Sequence, residues 1–400
     1  MRRLLGIAVA GLMMATGSAT VSLAADPIRL GDLNSYTRLP AFTVPYRDGW
    51  ILAMEELNAA GGVLGRPIEV ISRDDGGRPG DAVTVANELV IREGVVLLFG
   101  TLLSNVGLAV ADVARQRQVV FIAAEPLTDA IAWEQGNRYT FRLRPGTYVQ
   151  AAMLAEEAAK LPATRWATVA PNYEYGQSAV AAFKELLSAK RPDVEWVGEQ
   201  WPALFKIDAA STVRALARTR PDAVFNVTFG SDLAQFVREG RDRGLFEGRA
   251  VVSILSGEPE WIDPLGAEAP EGWIVTGYPW YALETPEHVA FLDAYQARFD
   301  DYPRLGSVVG YATMMTIAAA IEKAGSTETE ALIEALRGLE IDTPIGPIRY
   351  RPTDQQTTMG TFVGRLTVQD GMPRMVDWEF RDGADYLPPE DEVARLRPEG

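Results

Sequence analysis

The sequence predicts an α/β protein built from two mainly parallel sheets, one per half of the chain, each flanked by helices. Three observations point there. Strand-like and helix-like segments alternate through most of the 400 residues. Several strand candidates are short continuous apolar runs, as strands covered on both faces are. The strand candidates also outnumber the roughly ten that one open sheet comfortably holds, which favours two sheets.

Ile28-Arg29-Leu30-Gly31 reads as the first strand. In the helix that follows, Tyr46, Trp50, Met54 and Leu57 share one stripe, stepping by four and three residues as a 3.6-residue turn requires. Gly61-Gly62 stops it. A strand over 68–72, a helix from Asp81 to Gly94, a buried strand over 95–99, a helix over 105–117 and a buried strand over 119–123 follow. The rhythm restarts after Arg144-Pro145-Gly146. Helices over 148–160, 176–189, 209–219 and 232–244 precede strands over 166–170, 194–200, 223–227 and 250–255. Residues 286–337 then read as almost wholly helical, and 346–380 as short strands with turns such as Gln369-Asp370-Gly371. No low-complexity tether separates the halves, so several short crossings are expected rather than one flexible linker.

The first 24 residues are set apart. Arg2 and Arg3 precede an apolar run from Leu4 to Met14 and small residues ending Ser22-Leu23-Ala24. This is the pattern of a cleavable signal peptide over 1–24, and the run is shorter than the roughly 20 residues of a membrane span. Export to the periplasm is expected. No Cys flanks the cleavage point, so a lipid anchor is not, and no other segment reads as a span. Cys is absent from the whole chain, which excludes disulfides, thiol nucleophiles and Cys-bound metals. A formal charge of −16 argues against nucleic acid.

Little points to catalysis. His288 is the only histidine and stands at a polar helix start, where a surface position is expected. Neither Ser-His-Asp nor Cys-His machinery has a good candidate. Gly31-Asp32-Leu33-Asn34 lacks the spacing of a phosphate-binding loop. Asp74-Asp75-Gly76-Gly77 reads as an acid-glycine turn before it reads as a metal site. No enzyme activity, cofactor or metal is expected.

Asp48-Gly49, then Glu55-Glu56-Leu57-Asn58-Ala59-Ala60-Gly61-Gly62-Val63-Leu64-Gly65, then Arg73-Asp74-Asp75, Asp81-Ala82-Val83 and Ala86-Asn87-Glu88-Leu89-Val90 occur in order. Together with Asn172-Tyr173-Glu174-Tyr175-Gly176, this series resembles the branched-chain amino acid type of periplasmic binding protein. The resemblance implies a two-lobed type I periplasmic-binding fold with three hinge crossovers and a ligand in the cleft. It places lobe one at 26–145 plus 278–350, lobe two at 146–277 plus 351–388, and a C-terminal tail at 389–400. It also implies a monomer that hands a small molecule to an ABC permease in the inner membrane. A sensing module feeding a signalling partner is the alternative output, and an enzyme on the same scaffold a third.

In open α/β sheets ligands bind outside the carboxyl ends of strands, which selects particular loops. Ser104 and Asn105 either present a hydroxyl and helix amides to a ligand carboxylate or simply cap the helix. Glu125 and Leu127 stand where the resemblance implies small residues and a Thr. Glu125 either repels a ligand carboxylate or pairs with an Arg. Tyr175 and Phe229 offer aromatic walls. By the resemblance, Glu258 receives a ligand amine; otherwise it is a solvated loop acid. Tyr278, Trp280 and Tyr281 wall the cleft or pack the second crossover, and Tyr36 takes the edge beside the first strand. Two ligand classes stay open: an amino acid or related amine-carboxylate, and a flat aromatic solute.

Overall fold

The computed structural model describes residues 26–397; the expected signal peptide lies outside them. Five strands, β1 (Ile28–Asn34), β2 (Ile68–Asp74), β3 (Leu97–Gly100), β4 (Val120–Ala123) and β5 (Thr140–Arg142), form a parallel sheet ordered β2-β1-β3-β4-β5. β6 (Arg165–Val169), β7 (Glu195–Gln200), β8 (Ala223–Asn226), β9 (Ala250–Gly257) and β10 (Ile274–Gly277) belong to a second sheet. After a hairpin of β11 (Glu340–Thr343) and β12 (Gly346–Arg349), the antiparallel pair β13 (Thr361–Gln369) and β14 (Met372–Arg381) completes it in the order β14-β13-β10-β9-β8-β6-β7.

Helices α1 (Pro40–Ala59), α2 (Pro79–Ile91) and α3 (Ser104–Arg117) connect the first sheet. α4 (Thr147–Ala159), α5 (Glu174–Lys190), α6 (Ala209–Arg218), α7 (Gly230–Asp242) and the single turn α8 (Pro259–Ile262) accompany the second. α9 (Pro286–Phe299), α10 (Leu305–Ala324), α11 (Thr329–Leu336) and α12 (Glu390–Leu396) follow.

Burial follows composition. Every residue of β3, Leu-Leu-Phe-Gly, and of β4, Val-Phe-Ile-Ala, is buried, as inner strands of a sheet covered on both faces must be. Edge strand β7, Glu-Trp-Val-Gly-Glu-Gln, is only partly covered, and its charges discourage pairing with another chain. The 346–380 region is more regular than short strands with turns, because β13 and β14 run for nine and ten residues. Their hairpin turns at Asp370 and Gly371, with φ of 51° and 76°, the left-handed pair that tight hairpins favour.

One expectation needs correction. α10 is long and apolar enough to cross a membrane, with a mean hydropathy of 1.4. It is a core helix, 78% buried over that window, lying against α1. A methyl group on Gly310 would stand 1.9 Å from the Tyr46 carbonyl oxygen, and one on Gly49 would stand 2.0 Å from that of Ser307. Only glycine permits backbones this close, which lets so apolar a helix be largely buried here.

The chain crosses between the sheets after β5, after β10 and before β13. The first and third crossings are tied together. Arg142 N–H donates to the Gln355 carbonyl (3.0 Å) and Thr357 N–H to that of Arg142 (3.1 Å). The buried Arg142 guanidinium bonds Asp129, the Leu127 and Thr128 carbonyls and Gln356. At the C-terminus α12 is docked: Val393 packs on Ala132 and Trp133, and Arg397 donates to the Ala132 and Asn137 carbonyls.

Candidate functional site

The carboxyl ends of β3, β4, β8 and β9 converge on a small chamber between the two sheets. Backbone geometry aims the loops. Gly100, at φ 116°, turns the chain out of β3 where a Cβ would stand 2.4 Å from the Leu33 carbonyl oxygen. This carries Leu102, Leu103 and Ser104 to the chamber wall. Leu255 takes φ 67° beside a shift in the β9–β10 register, a bulge that re-aims the segment carrying Glu258. The single turn α8 then brings in Trp261.

The first-sheet side of the wall comprises Phe42, Leu102, Leu103, Ser104, Glu125 and Leu127; the second-sheet side comprises Tyr173, Tyr175, Phe229, Leu255 and Trp261. Phe42 and Trp261 stack across the cleft, with ring centroids 5.6 Å apart and planes within 11°. Phe229 meets Trp261 and Tyr175 edge-on at 5.4 and 5.7 Å. With the rings packed so, the chamber holds only about 20 Å³. Outside Trp261 a mouth of about 500 Å³ opens between Arg38–Ala41 and the Gly230–Ser231 turn.

Arg144, on the first crossing, is the electrostatic centre. Its Nη1 donates to Glu125 Oε2 at 3.3 Å and its Nη2 to Glu258 Oε1, and all three side chains are buried. It thus links a carboxylate from each side. Trp261 Nε1 donates to the other Glu258 oxygen at 3.0 Å. Glu260 accepts the Gly306 and Leu305 amides at the start of α10 at 2.7 and 3.3 Å.

Burial raises the pKa of all three acids. Glu125 is pushed well above the carboxylate range, and Arg144 pulls it back only in part. Glu258 is raised by burial against the pull of Arg144. Glu260 is pushed to about 8, first by burial and then by Glu258. Burial by itself would lower Arg144, but Glu258 and Glu125 outweigh it and hold the guanidinium above its ordinary value. Two buried groups on the wall, Glu125 Oε1 and the Tyr175 hydroxyl, find no hydrogen-bond partner among the described residues.

Five of the sequence-selected residues meet at this chamber: Ser104, Glu125, Leu127, Tyr175 and Phe229. Ser104 Oγ accepts the Thr128 amide at 3.2 Å. Glu125 takes its Arg-paired alternative. Glu258 is no solvated loop acid; it lies behind the wall, both oxygens engaged. The remaining four stand elsewhere. Asn105 sits one residue further along α3 and does not line the wall. Tyr36 donates to Asp32 at 2.6 Å beside the end of β1, with Arg47 over its ring. Tyr278 bonds the His288 ring at 2.6 Å, and Trp280 stacks on Tyr302 at 4.6 Å. They pack the second crossover, as does Tyr281, whose hydroxyl donates to the Met375 carbonyl.

His288 is a correction. It is buried, because the polar start of α9 turns its ring onto Tyr278. Burial lowers its pKa to about 4, so it is neutral near pH 7. The Asp74–Gly77 acids fold into turns of their own, accepting the Gly76 and Gly77 amides. Sequence reasoning did not select Phe42, Arg144, Tyr173 or Trp261.

Residues 28–371 match the model of the family described as periplasmic binding protein. The chain belongs to the periplasmic binding protein family. Among its relatives, the leucine-, isoleucine-, valine-, threonine- and alanine-binding protein of Pseudomonas aeruginosa is 27% identical over 344 residues, 84% of this chain and 89% of the relative. An ABC transporter substrate-binding protein from Sphaerobacter thermophilus superposes with a TM-score of 0.80 at 25% identity, covering 90% of this chain and all of that one. A solute-binding protein from Rhodopseudomonas palustris, solved with p-hydroxybenzoic acid, reaches 0.81 at 22% identity over 92% of this chain and 100% of its own. The fold is the type I periplasmic-binding fold.

Proposed function

We propose that this periplasmic binding protein receives a small solute with a compact apolar body and an amine or carboxylate group in the Arg144 chamber, and passes it unchanged to an ABC permease in the inner membrane. The single observation that carries this is the chamber itself, an aromatic box at the strand ends of both sheets whose one guanidinium joins carboxylates from opposite sides. The amino acids named for the Pseudomonas aeruginosa relative support the ligand class. In this reading two bodies, 26–145 plus 278–350 and 146–277 plus 351–388, rotate about the three crossings. Solute that contacts both favours the closed state by its difference in affinity between states. The protein acts as a monomer, reaches the periplasm by the leader over 1–24, and does no chemistry. In support of the last point, the His288 ring is spent on Tyr278, away from the chamber.

A thermal-shift screen over amino acids, amines and aromatic acids tests the reading. A solute at a hundred times its dissociation constant stabilises by about 2.7 kcal/mol. No stabilisation across the whole panel would overturn it.

A further inference from the structure

The three buried acids around the chamber differ in what their oxygens already hold. Glu258 spends both oxygens, on Arg144 and on Trp261. Glu260 spends both on the first amides of α10. Arg144 spends its two terminal nitrogens on Glu258 and Glu125. Among the described residues, the fully buried polar atoms of the wall left without any hydrogen-bond partner are Glu125 Oε1 and the Tyr175 hydroxyl. A buried carboxylate oxygen without a donor is costly, so this atom marks where a donor belongs.

Charge points the same way. Three buried acids, Glu125, Glu258 and Glu260, share one guanidinium, and burial raises the pKa of all three. A cation beside Glu125 would favour its ionised form, whereas an added carboxylate would oppose it. Phe42, Tyr173, Tyr175, Phe229 and Trp261 line the same space, and ring faces attract cations. Glu258 has no vacancy for a solute amine, because the guanidinium of Arg144 already sits on it.

We propose that Glu125 receives the ammonium group of the solute, that Arg144 is a built-in cation filling the equivalent place on Glu258, and that the solute is therefore an organic ammonium with a compact apolar body. This rests on the proposed function and narrows it, since carboxylated solutes without nitrogen are then excluded.

Two probe series on fixed carbon frames test it by thermal shift and calorimetric titration of the full chain. One is L-phenylalanine, 2-phenylethylamine and 3-phenylpropanoate; the other is L-leucine, 3-methylbutylamine and 4-methylpentanoate. The ammonium-bearing members of at least one series should bind, with the nitrogen-free acid at least tenfold weaker. Glu125→Gln should weaken the ammonium probes at least tenfold while leaving the fold intact. If that variant does not fold, Tyr175→Phe removes the other unpartnered group and should weaken them about threefold. Equal binding of the nitrogen-free acid, or unchanged ammonium affinity in the variant that folds, overturns the inference and leaves the receptor reading standing. Binding confined to nitrogen-free solutes of the wider panel does the same. No binding by anything overturns both.

Discussion

The carboxyl edge of the first sheet buries acids at two places and handles them differently. At β4 the partner is a charge: Glu125 lies against Arg144, which also holds Glu258. At β1 the partners are neutral. Asp32 accepts hydroxyls from Tyr36 and Ser72, at 2.6 and 2.5 Å, and Asp75 accepts the Ser35 hydroxyl and the Gly77 amide. Burial pushes Asp32 to about 7, despite the hydroxyls of Ser72 and Tyr36. One oxygen of each aspartate is left without a partner among the described residues. The contrast shows what each arrangement is suited to. The Arg144 cluster draws together groups from both sides of the cleft. The Asp32 cluster lies wholly on the side of the first sheet and holds its proton with neutral partners.

The contrast breaks most severely at Arg144. Arg144→Met leaves Glu125 and Glu258 buried without their counter-ion, and removing one partner of such a pair costs about 3–5 kcal/mol. Urea unfolding should show a loss of that size together with loss of solute binding. A change below about 1 kcal/mol would mean the cluster does not hold the sides together.

Asp32→Asn tests the other cluster through pH. The pKa of Asp32 in the folded protein is about 7 against an ordinary 3.8, so the folded state holds this proton more tightly than the unfolded chain. The stability it brings is complete below about pH 4 and is lost as pH rises through 7. At 1.36 kcal/mol per pH unit the loss is on the order of 4 kcal/mol. Stability measured from pH 4 to pH 8 should therefore fall less in the variant than in the parent. Equal slopes would contradict the placement of Asp32.

Two milder changes each remove a single charge or a single hydrogen bond from these clusters. Glu258→Gln keeps an acceptor for Trp261 and Arg144 but removes the charge, with an expected cost of about 1.5–3 kcal/mol. Because Arg144 fills Glu258, solute affinity should fall less than in Glu125→Gln. Tyr36→Phe deletes one neutral hydrogen bond to Asp32, about 1 kcal/mol, and should move the Asp32 titration upward. A downward shift would contradict the donor role of that hydroxyl.

The sheets were legible because their inner strands are apolar runs, and the helices because their stripes are periodic. The chamber was legible only where it follows the strand-end rule, at Ser104, Glu125, Leu127, Tyr175 and Phe229. Phe42 escaped because Pro40 and Pro45 disguise the start of α1; the first opens the helix and the second lies inside it. Trp261 escaped because α8 has four residues, too few for periodicity to register. In the sequence, Arg144 stands as punctuation beside Pro145-Gly146. Its warning was local: Arg142 and Arg144 alternate with Phe141 and Leu143, and charged residues at strand spacing among apolar ones need buried partners. The aromatics at 278–281 leave two readings open in the sequence, and they pack the second crossover. Beside a crossing, large rings serve packing as readily as binding, and the pairing of Tyr278 with His288 could not be read from a polar helix start.

In the proposed function, solute binds at the Trp261 wall between the two sheets. The chain has nine Trp, and, among the described residues, Trp261 is the one lining the chamber. The direct measurement is a titration with a solute found by thermal shift, followed by tryptophan fluorescence in the parent and in Trp261→Phe, with calorimetry alongside. A saturable fluorescence change should appear in the parent and largely vanish in the variant, while calorimetry still detects binding. An undiminished change in Trp261→Phe, at unchanged affinity, would place the solute elsewhere and contradict the claim.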